Sequence, residues 1–456
     1  MEDKRELLGT APIGRLLLRL ALPTVVAQLV NMLYNIVDRI YIGHIPEVGD
    51  LALTGVGVCM PIIMLVSAVA ALVSSGGAPR ASILMGKGDT EGAERTLGAC
   101  FGLQLIVSAV LTAALLLLRD LLLPAFGASE QTVGYASEYL TVYAIGTVFV
   151  QLTLGMNAFI TAQGFTRVSM LSVILGATLN LVLDPIFIYG LGMGVRGAAL
   201  ATVLSQAASA AWVLSFLLGR RSILRLRPKN FLPRPGIVLP CIALGTASFI
   251  MQASESVISV CFNSSLLRYG GDIAVGAMTI LTSVMQLAML PAQGIAQGAQ
   301  PILSYNYGAG SRERVKRTYL VLLRTCLAYS VAIFLAVMLL PRAFVSIFTP
   351  NAALIDFASR ALRIYFSGMA FFGIQIAGQM TFVSLGNAAS SVAVAVVRKF
   401  VLLLPLIYLM PHLASDPTLG VYMAEPIADV LAVTFTSVLF ALRFRRALQG
   451  LGGECP

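Results

Sequence analysis

Apolar runs of about twenty residues or more, bounded by glycine, proline and charge clusters, recur twelve times along the chain. They fall near 16–43, 51–78, 95–119, 137–162, 168–190, 197–219, 237–267, 273–304, 319–340, 361–385, 393–411 and 424–442. A helix needs about 20 apolar residues to cross the hydrocarbon core of a bilayer, so each run predicts one spanning helix. Twelve of them fill most of the 456 residues and leave little for a separate soluble domain.

Composition agrees. Hydrophobic residues make up 58% of the chain and charged ones 11%, with a mean hydropathy of +0.87. A soluble domain carries about 25% charged residues, so a soluble globule is excluded, as are a disordered chain, a collagen and a disulfide scaffold. An all-α polytopic membrane protein remains. The six cysteines show no paired or metal-like spacing and read as free thiols. The charged start, Met1 to Arg5, lacks a small-residue cleavage site and reads as a retained cytoplasmic tail.

The net charge of +10 follows from sidedness rather than from nucleic-acid binding. With the helices alternating, 24 of the 31 Lys and Arg fall on one side, Arg398 and Lys399 counted among them. Cytoplasmic loops collect such residues, so both termini are expected in the cytoplasm and the chain in the cell's inner (cytoplasmic) membrane. Six basic residues and Pro228, Pro233 and Pro235 gather in 220–236. This reads as a linker between six-helix lobes at 1–219 and 237–456, its charge explained by solvent and anionic lipid heads.

The two halves repeat. Shifted by 222 positions, Gly49-Asp50-Leu51-Ala52 returns as Gly271-Asp272-Ile273-Ala274, and Gly76, Pro79 and Gly86 return as Gly298, Pro301 and Gly308. Glu91, Arg95 and Thr96 match Glu313, Arg317 and Thr318; Tyr143, Gly146 and Gly164 match Tyr365, Gly368 and Gly386. Six helices per repeat is even, so the halves are parallel and related by a pseudo-two-fold along the membrane normal. That arrangement places a cavity between bundles and suits alternating access.

Polar residues inside spans are costly and mark function. Gln28, Asn31, Asn35 and Asp38 share one face of the first helix, and Asn180 and Asp184 are i, i+4 neighbours in the fifth. At 1.5 Å per residue, Asp38, Asp184 and Thr202 lie at similar depth below one surface. The alternative is that Asp38 pairs with Arg39 near the headgroups and Asp184 caps Pro185. The repeat-equivalent positions of Asn180 and Asp184 are Leu402 and Leu406, and that of Asp38 is Val260, so this carboxylate site belongs to the first half alone. The second half offers Gln252, Glu255 and Ser259 in helix seven, a stripe with Gln286 and Gln293 in helix eight, and Gln375 and Gln379 in helix ten. These are candidate cavity residues, although interhelical hydrogen bonds also use glutamine. Glu255 reads equally as a second proton site or a cation-attracting wall group. Adaptable methionines such as Met251, Met278, Met285 and Met289 add soft surface, though most of the seventeen read as packing.

Enzyme motifs are lacking: no GxxxxGK[ST], HExxH, GxSxG or CxxC occurs, and His44 and His412 are the only histidines. No catalytic, metal or cofactor chemistry is expected, and transport has to run on an ion gradient.

The run Asn35-Ile36-Val37-Asp38-Arg39-Ile40-Tyr41-Ile42-Gly43, the segment Asn180-Leu181-Val182-Leu183-Asp184-Pro185 and the doubled Gly-Pro-Gly-Gly loops resemble the multidrug and toxic compound extrusion (MATE) family over nearly the whole chain. The resemblance is to the bacterial branch with a cation site in the N-terminal lobe. It implies that Asp38, Asn180, Asp184, Thr202 and Asn157 bind the coupling proton or sodium ion. Another branch uses an acid in helix ten, where this chain has Gln375 and Gln379, so that second-lobe ion site is expected to be absent. The expected function is a monomeric, cation-coupled antiporter exporting amphipathic, often cationic compounds, with the lipid bilayer as its other partner. A flippase of lipid-linked precursors is the alternative and requires basic residues facing the cavity; a channel requires current without ion coupling.

Overall fold

In a computed structural model, which describes residues 4–451, the chain is helical throughout its spans. Residues 1–3 of the expected tail, and Cys455, lie outside the described residues; the other five cysteines are free thiols. The first half contains α1 (Ile13–Gly43), α2 (Gly49–Gly86), α3 (Thr90–Ala125), α4 (Val133–Ala162), α5 (Thr166–Pro185) and α6 (Gly194–Leu218). One continuous stretch, Pro235–Gly308, holds both α7 (235–270) and α8 (272–308), because Gly271 alone breaks it, at φ 64°. A positive φ is open to glycine at little cost, and here it replaces the short loop expected between two separate helices. Then come α9 (Arg312–Leu339), α10 (Ala352–Tyr365 and Met369–Ser384), α11 (388–413, with a π-helical middle at Val397–Leu403) and α12 (Pro417–Gln449). The twelve helices form two parallel six-helix repeats.

The repeat is visible in the backbone. α4 bends by 55° between Ile145 and Thr147, and α10 bends by 50° between Tyr365 and Met369. The pivots, Gly146 and Gly368, are 222 residues apart. Each packs on the last helix of its own half: Gly146 on Val203 of α6, Gly368 on Pro426 and Asp429 of α12. A Cβ on Gly146 would overlap Val203, and one on Gly368 would press on Pro426 at 3.0 Å.

The halves meet along a seam of close helix crossings. Gly76 of α2 lies against the Cys241 carbonyl and Gly245 of α7 against that of Leu72, while Gly294 and Gly298 of α8 lie against Val25 and Ala21 of α1. Within membranes, small residues let backbones approach and supply the contact that hydrophobicity cannot. Hydrogen bonds add to it: Thr24 Oγ1 donates to the Gly294 carbonyl at 2.6 Å and Gln28 Nε2 to Gln297 Oε1 at 3.2 Å. These contacts join the N-terminal part of α1 to the C-terminal part of α8. Toward the opposite ends, Asn31, Asn35, Gln252, Ser259, Thr279 and Gln286 are exposed. Polar side chains within spans face water rather than lipid, so the cavity between the halves opens on the side of the α1–α2 and α7–α8 turns.

The basic connection before α7 is not a free loop. Leu224 and Leu226 are buried. Gln163 Oε1 accepts from Ser222 Oγ and from the backbone N–H groups of Ile223 and Leu224, at 2.8–3.0 Å. Glu94 accepts from the Arg225 N–H at 3.1 Å and pairs with Arg227 at 2.7 Å. The segment is therefore docked on the first half, where two acceptors satisfy its backbone.

Candidate functional site

Helices α1, α4, α5 and α6 enclose a polar pocket in the first half. Asp38, Asn180, Asp184 and Thr202 are all buried, and the Asp38 and Asp184 carboxyl groups lie within hydrogen-bonding reach of each other. Asn180 Nδ2 donates to Asp184 Oδ1 at 3.3 Å and to Thr202 Oγ1 at 3.4 Å. Asp38 Oδ1 and Asp184 Oδ2 are buried with no hydrogen-bond donor. Arg39 does not pair with Asp38; it is exposed and turned to Met60 Sδ at 3.5 Å. Pro185 supplies no N–H to the helical ladder, and the chain continues from it as a π-helical turn, Ile186–Gly190. Such turns often mark functional sites.

Three further residues complete the pocket. Tyr34 lies beside Gln206 and near both aspartates, and the Tyr139 hydroxyl lies beside Thr202. Tyr34 stands four residues before Asp38, and Gln206 four after Thr202, so helical spacing alone carried a signal for both. Tyr139, on another helix, had none. Asn157 is placed apart from the carboxylates, donating to the Ser169 carbonyl at 3.4 Å.

The glutamines divide. Gln252, Gln286 and Gln293 are exposed, whereas Gln28 ties the two halves together. The cavity expectation for Gln375 and Gln379 needs correcting. Gln375 is buried and accepts from Thr436 Oγ1 of α12 at 2.6 Å, and Gln379 Nε2 donates to Ser391 Oγ of α11 at 2.9 Å. Both fasten α10 to its neighbours, because amides inside a bilayer are best satisfied by another helix.

The second half holds a charged cluster that local sequence reading missed. Arg398 and Lys399 are not loop residues: both are buried, on the π-helical part of α11. The Arg398 guanidinium binds Asp429 Oδ1 at 2.8–2.9 Å and Glu425 Oε1 at 3.0 Å, both on α12, and lies 4.7 Å from the centre of the Phe372 ring. Lys399 Nζ binds Glu255 Oε1 of α7 at 2.6 Å. Glu255 thus has a fixed basic partner. The acids that make these two basic residues tolerable inside the membrane lie far along the chain on other helices, 27 and 31 positions after Arg398 on α12 and 144 before Lys399 on α7.

Among known families, the MatE model matches residues 23–186 and 247–409, one match per half. The multidrug export protein MepA of Staphylococcus aureus (strain bovine RF122 / ET3-1) is 23% identical over 440 residues, 95% of each chain. A MATE structure in a bent conformation superimposes with a TM-score of 0.93 at 24% identity, covering 99% of this chain and 100% of that one. An outward-facing multidrug resistance MATE transporter of the MOP superfamily gives 0.89 at 25% identity, covering 99% of both.

Proposed function

This chain belongs to the MatE family of multi-pass membrane transporters, and from that premise we propose that it is an antiporter in which an inward-moving proton or sodium ion drives export of amphipathic, often cationic compounds. The observation that carries the reading is the pair of donor-less buried oxygens, Asp38 Oδ1 and Asp184 Oδ2. Two carboxyl groups in contact repel one another when both are ionised. Unpaired buried charge is costly, so the pair invites a proton or a metal cation. Asn180 and Thr202 supply neutral oxygens suited to a hard cation, and Asn180 also donates to Asp184.

The site sits in a half whose partner meets it only along a seam. That geometry supports alternating access, with lobes at 1–219 and 237–456 rocking about the 220–236 connection. The excess of Lys and Arg on one side favours cytoplasmic termini in the inner (cytoplasmic) membrane, and we take the protein to act as a monomer. A cation entering from the open side cancels one charge of the carboxyl pair and relieves its repulsion, and it drives release only by preferring one conformation over the other. The flippase alternative requires basic groups on the cavity wall; Arg398 and Lys399 are instead buried under acids.

The test is counterflow in proteoliposomes with pH and sodium gradients imposed separately. Substrate accumulation against its gradient under one of them is expected; accumulation under neither overturns the coupling.

A further inference from the structure

We propose that Cys100 and Cys241 are a redox modification site: a hydroperoxide joins them in a reversible disulfide that staples the two halves across the closed part of their seam. The chemistry goes beyond the antiport reading, whereas its effect on transport rests on that reading.

Three residues of α2 bring the two sulfurs together. Gly76 faces the Cys241 carbonyl of α7, and a Cβ on Gly77 would overlap Cys100 Sγ of α3. Glycine at both positions lets cysteines from different halves settle side by side, and their thiols lie within hydrogen-bonding reach of each other. Arg80, three and four positions further along α2, shares the face of that glycine pair. Its guanidinium reaches Cys241 and lies near Cys100, and its Nε is buried with no acceptor. No ion pair among the described residues includes Arg80. A cation within a span needs a counter-charge, and a thiolate beside a cation is the reactive form of cysteine. Shifted by 222 positions, Gly77, Arg80 and Cys100 become Ala299, Ile302 and Leu322. The second half keeps none of this set, so the repeated scaffold does not require it.

The site lies toward the end of α2 away from the cavity mouth. Both thiols are fully buried, and an oxidant reaches them when the halves part there. The Cys241 thiolate then attacks a peroxide oxygen and the O–O bond breaks. An alcohol, or water, leaves with the thiol's proton, and Cys241 becomes a sulfenic acid. On closure the Cys100 sulfur attacks that sulfur; the S–O bond breaks, and the hydroxide takes the Cys100 proton and leaves as water. Two thiols give up two electrons to the peroxide, and exchange with a thiol reductant returns them.

The test is thiol counting on the purified full-length protein, treated with hydrogen peroxide, then unfolded and labelled with a maleimide. Wild type should show six thiols before oxidation and four after, with dithiothreitol restoring six. Mass spectrometry should find the Cys100 and Cys241 peptides joined in wild type and no cross-link in Cys100→Ala or Cys241→Ala. Arg80→Met should slow cross-linking by about tenfold or more, and Arg80→Lys should recover part of the rate, which packing of two sulfurs alone would not give. Six thiols in oxidised wild type, a cross-link between other cysteines, or an equal rate in Arg80→Met overturns the proposal. In proteoliposomes, gradient-driven uptake should stop in oxidised wild type and persist in oxidised Cys100→Ala. A cross-link with undiminished uptake keeps the site and overturns rocking at this seam, whereas uptake without any cross-link keeps antiport and overturns the site.

Discussion

Gly86 and Gly308 are reciprocal: a Cβ on Gly86 would overlap the Tyr305 carbonyl of α8, and one on Gly308 would overlap the Ile83 carbonyl of α2. Each glycine stands three residues after the carbonyl that faces its counterpart, so the pseudo-two-fold axis passes between them. Here the two halves touch backbone to backbone, on the side opposite the cavity mouth.

Gly86→Ala and Gly308→Ala should therefore be equally costly. Forcing a methyl into a packed crossing typically costs about 1–3 kcal/mol, and neither backbone can yield without parting α2 from α8. Thermal unfolding in detergent should show matched losses, with Gly236→Ala, where nothing lies near the added methyl, as the silent control. Unequal losses would argue against the symmetric crossing.

Arg398 should be a stability residue. Its removal leaves Glu425 and Asp429 buried without a counter-charge, and breaking such a pair costs about 3–5 kcal/mol. Arg398→Met should lower the melting temperature steeply, and adding Glu425→Gln and Asp429→Asn should recover much of the loss. If the triple variant is no more stable than the single one, the guanidinium's contact with Phe372, not its charge, matters.

These two predictions mark what the sequence could and could not reveal. The repeat was legible because glycine has no substitute at a backbone crossing, so Gly76, Gly86 and their partners recur at a fixed offset. The first-half site was legible because Asn180 and Asp184 are neighbours on one helix and Asp38 and Thr202 could be placed by depth. The second-half cluster was not. Adjacent Arg and Lys ordinarily mark a span's cytoplasmic end, and the partners that bury them here are contributed by α7 and α12. The break at Gly271 was likewise hidden, since a short loop and a kink share the same Gly-Gly-Asp signature. Gln375 shows a third limit: a polar stripe indicates that an amide needs a partner, not whether that partner is water or Thr436.

Leu402 and Leu406 stand where the first half has Asn180 and Asp184, and both pack against the second half's apolar core. Leu406→Asn should cost about 1–3 kcal/mol through an unsatisfied amide, lowering the melting temperature while ion-driven transport per folded molecule stays at the wild-type level. A stable Leu406→Asn protein that loses its ion dependence would place the coupling site in the other half.

Asp184→Asn keeps the shape of the side chain and removes its charge. The variant should insert and fold normally, since Asn180 remains as a partner, yet lose gradient-driven accumulation. Downhill exchange of substrate should persist. Accumulation at the wild-type rate would exclude Asp184 from coupling.

The final prediction concerns how the cation and the substrate communicate. If a proton or sodium ion binds between Asp38 and Asp184 and favours the conformation that has released substrate, occupancy of the pair must weaken substrate binding. Linkage makes the effect reciprocal: substrate weakens cation binding by the same factor. The sign follows. Lowering pH or raising sodium fills the pair, so substrate affinity should fall in acid and in high sodium and rise as the pair empties. Contact makes the two carboxyl groups titrate as one unit, so Asp38→Asn should alter the whole profile, not one limb of it. Affinity of the purified protein for a substrate whose own charge is fixed, measured from pH 5 to pH 9 with and without sodium, separates these effects from titration of the ligand. Wild type should show a slope that Asp38→Asn flattens; identical flat responses in both proteins would remove the link between the carboxyl pair and export.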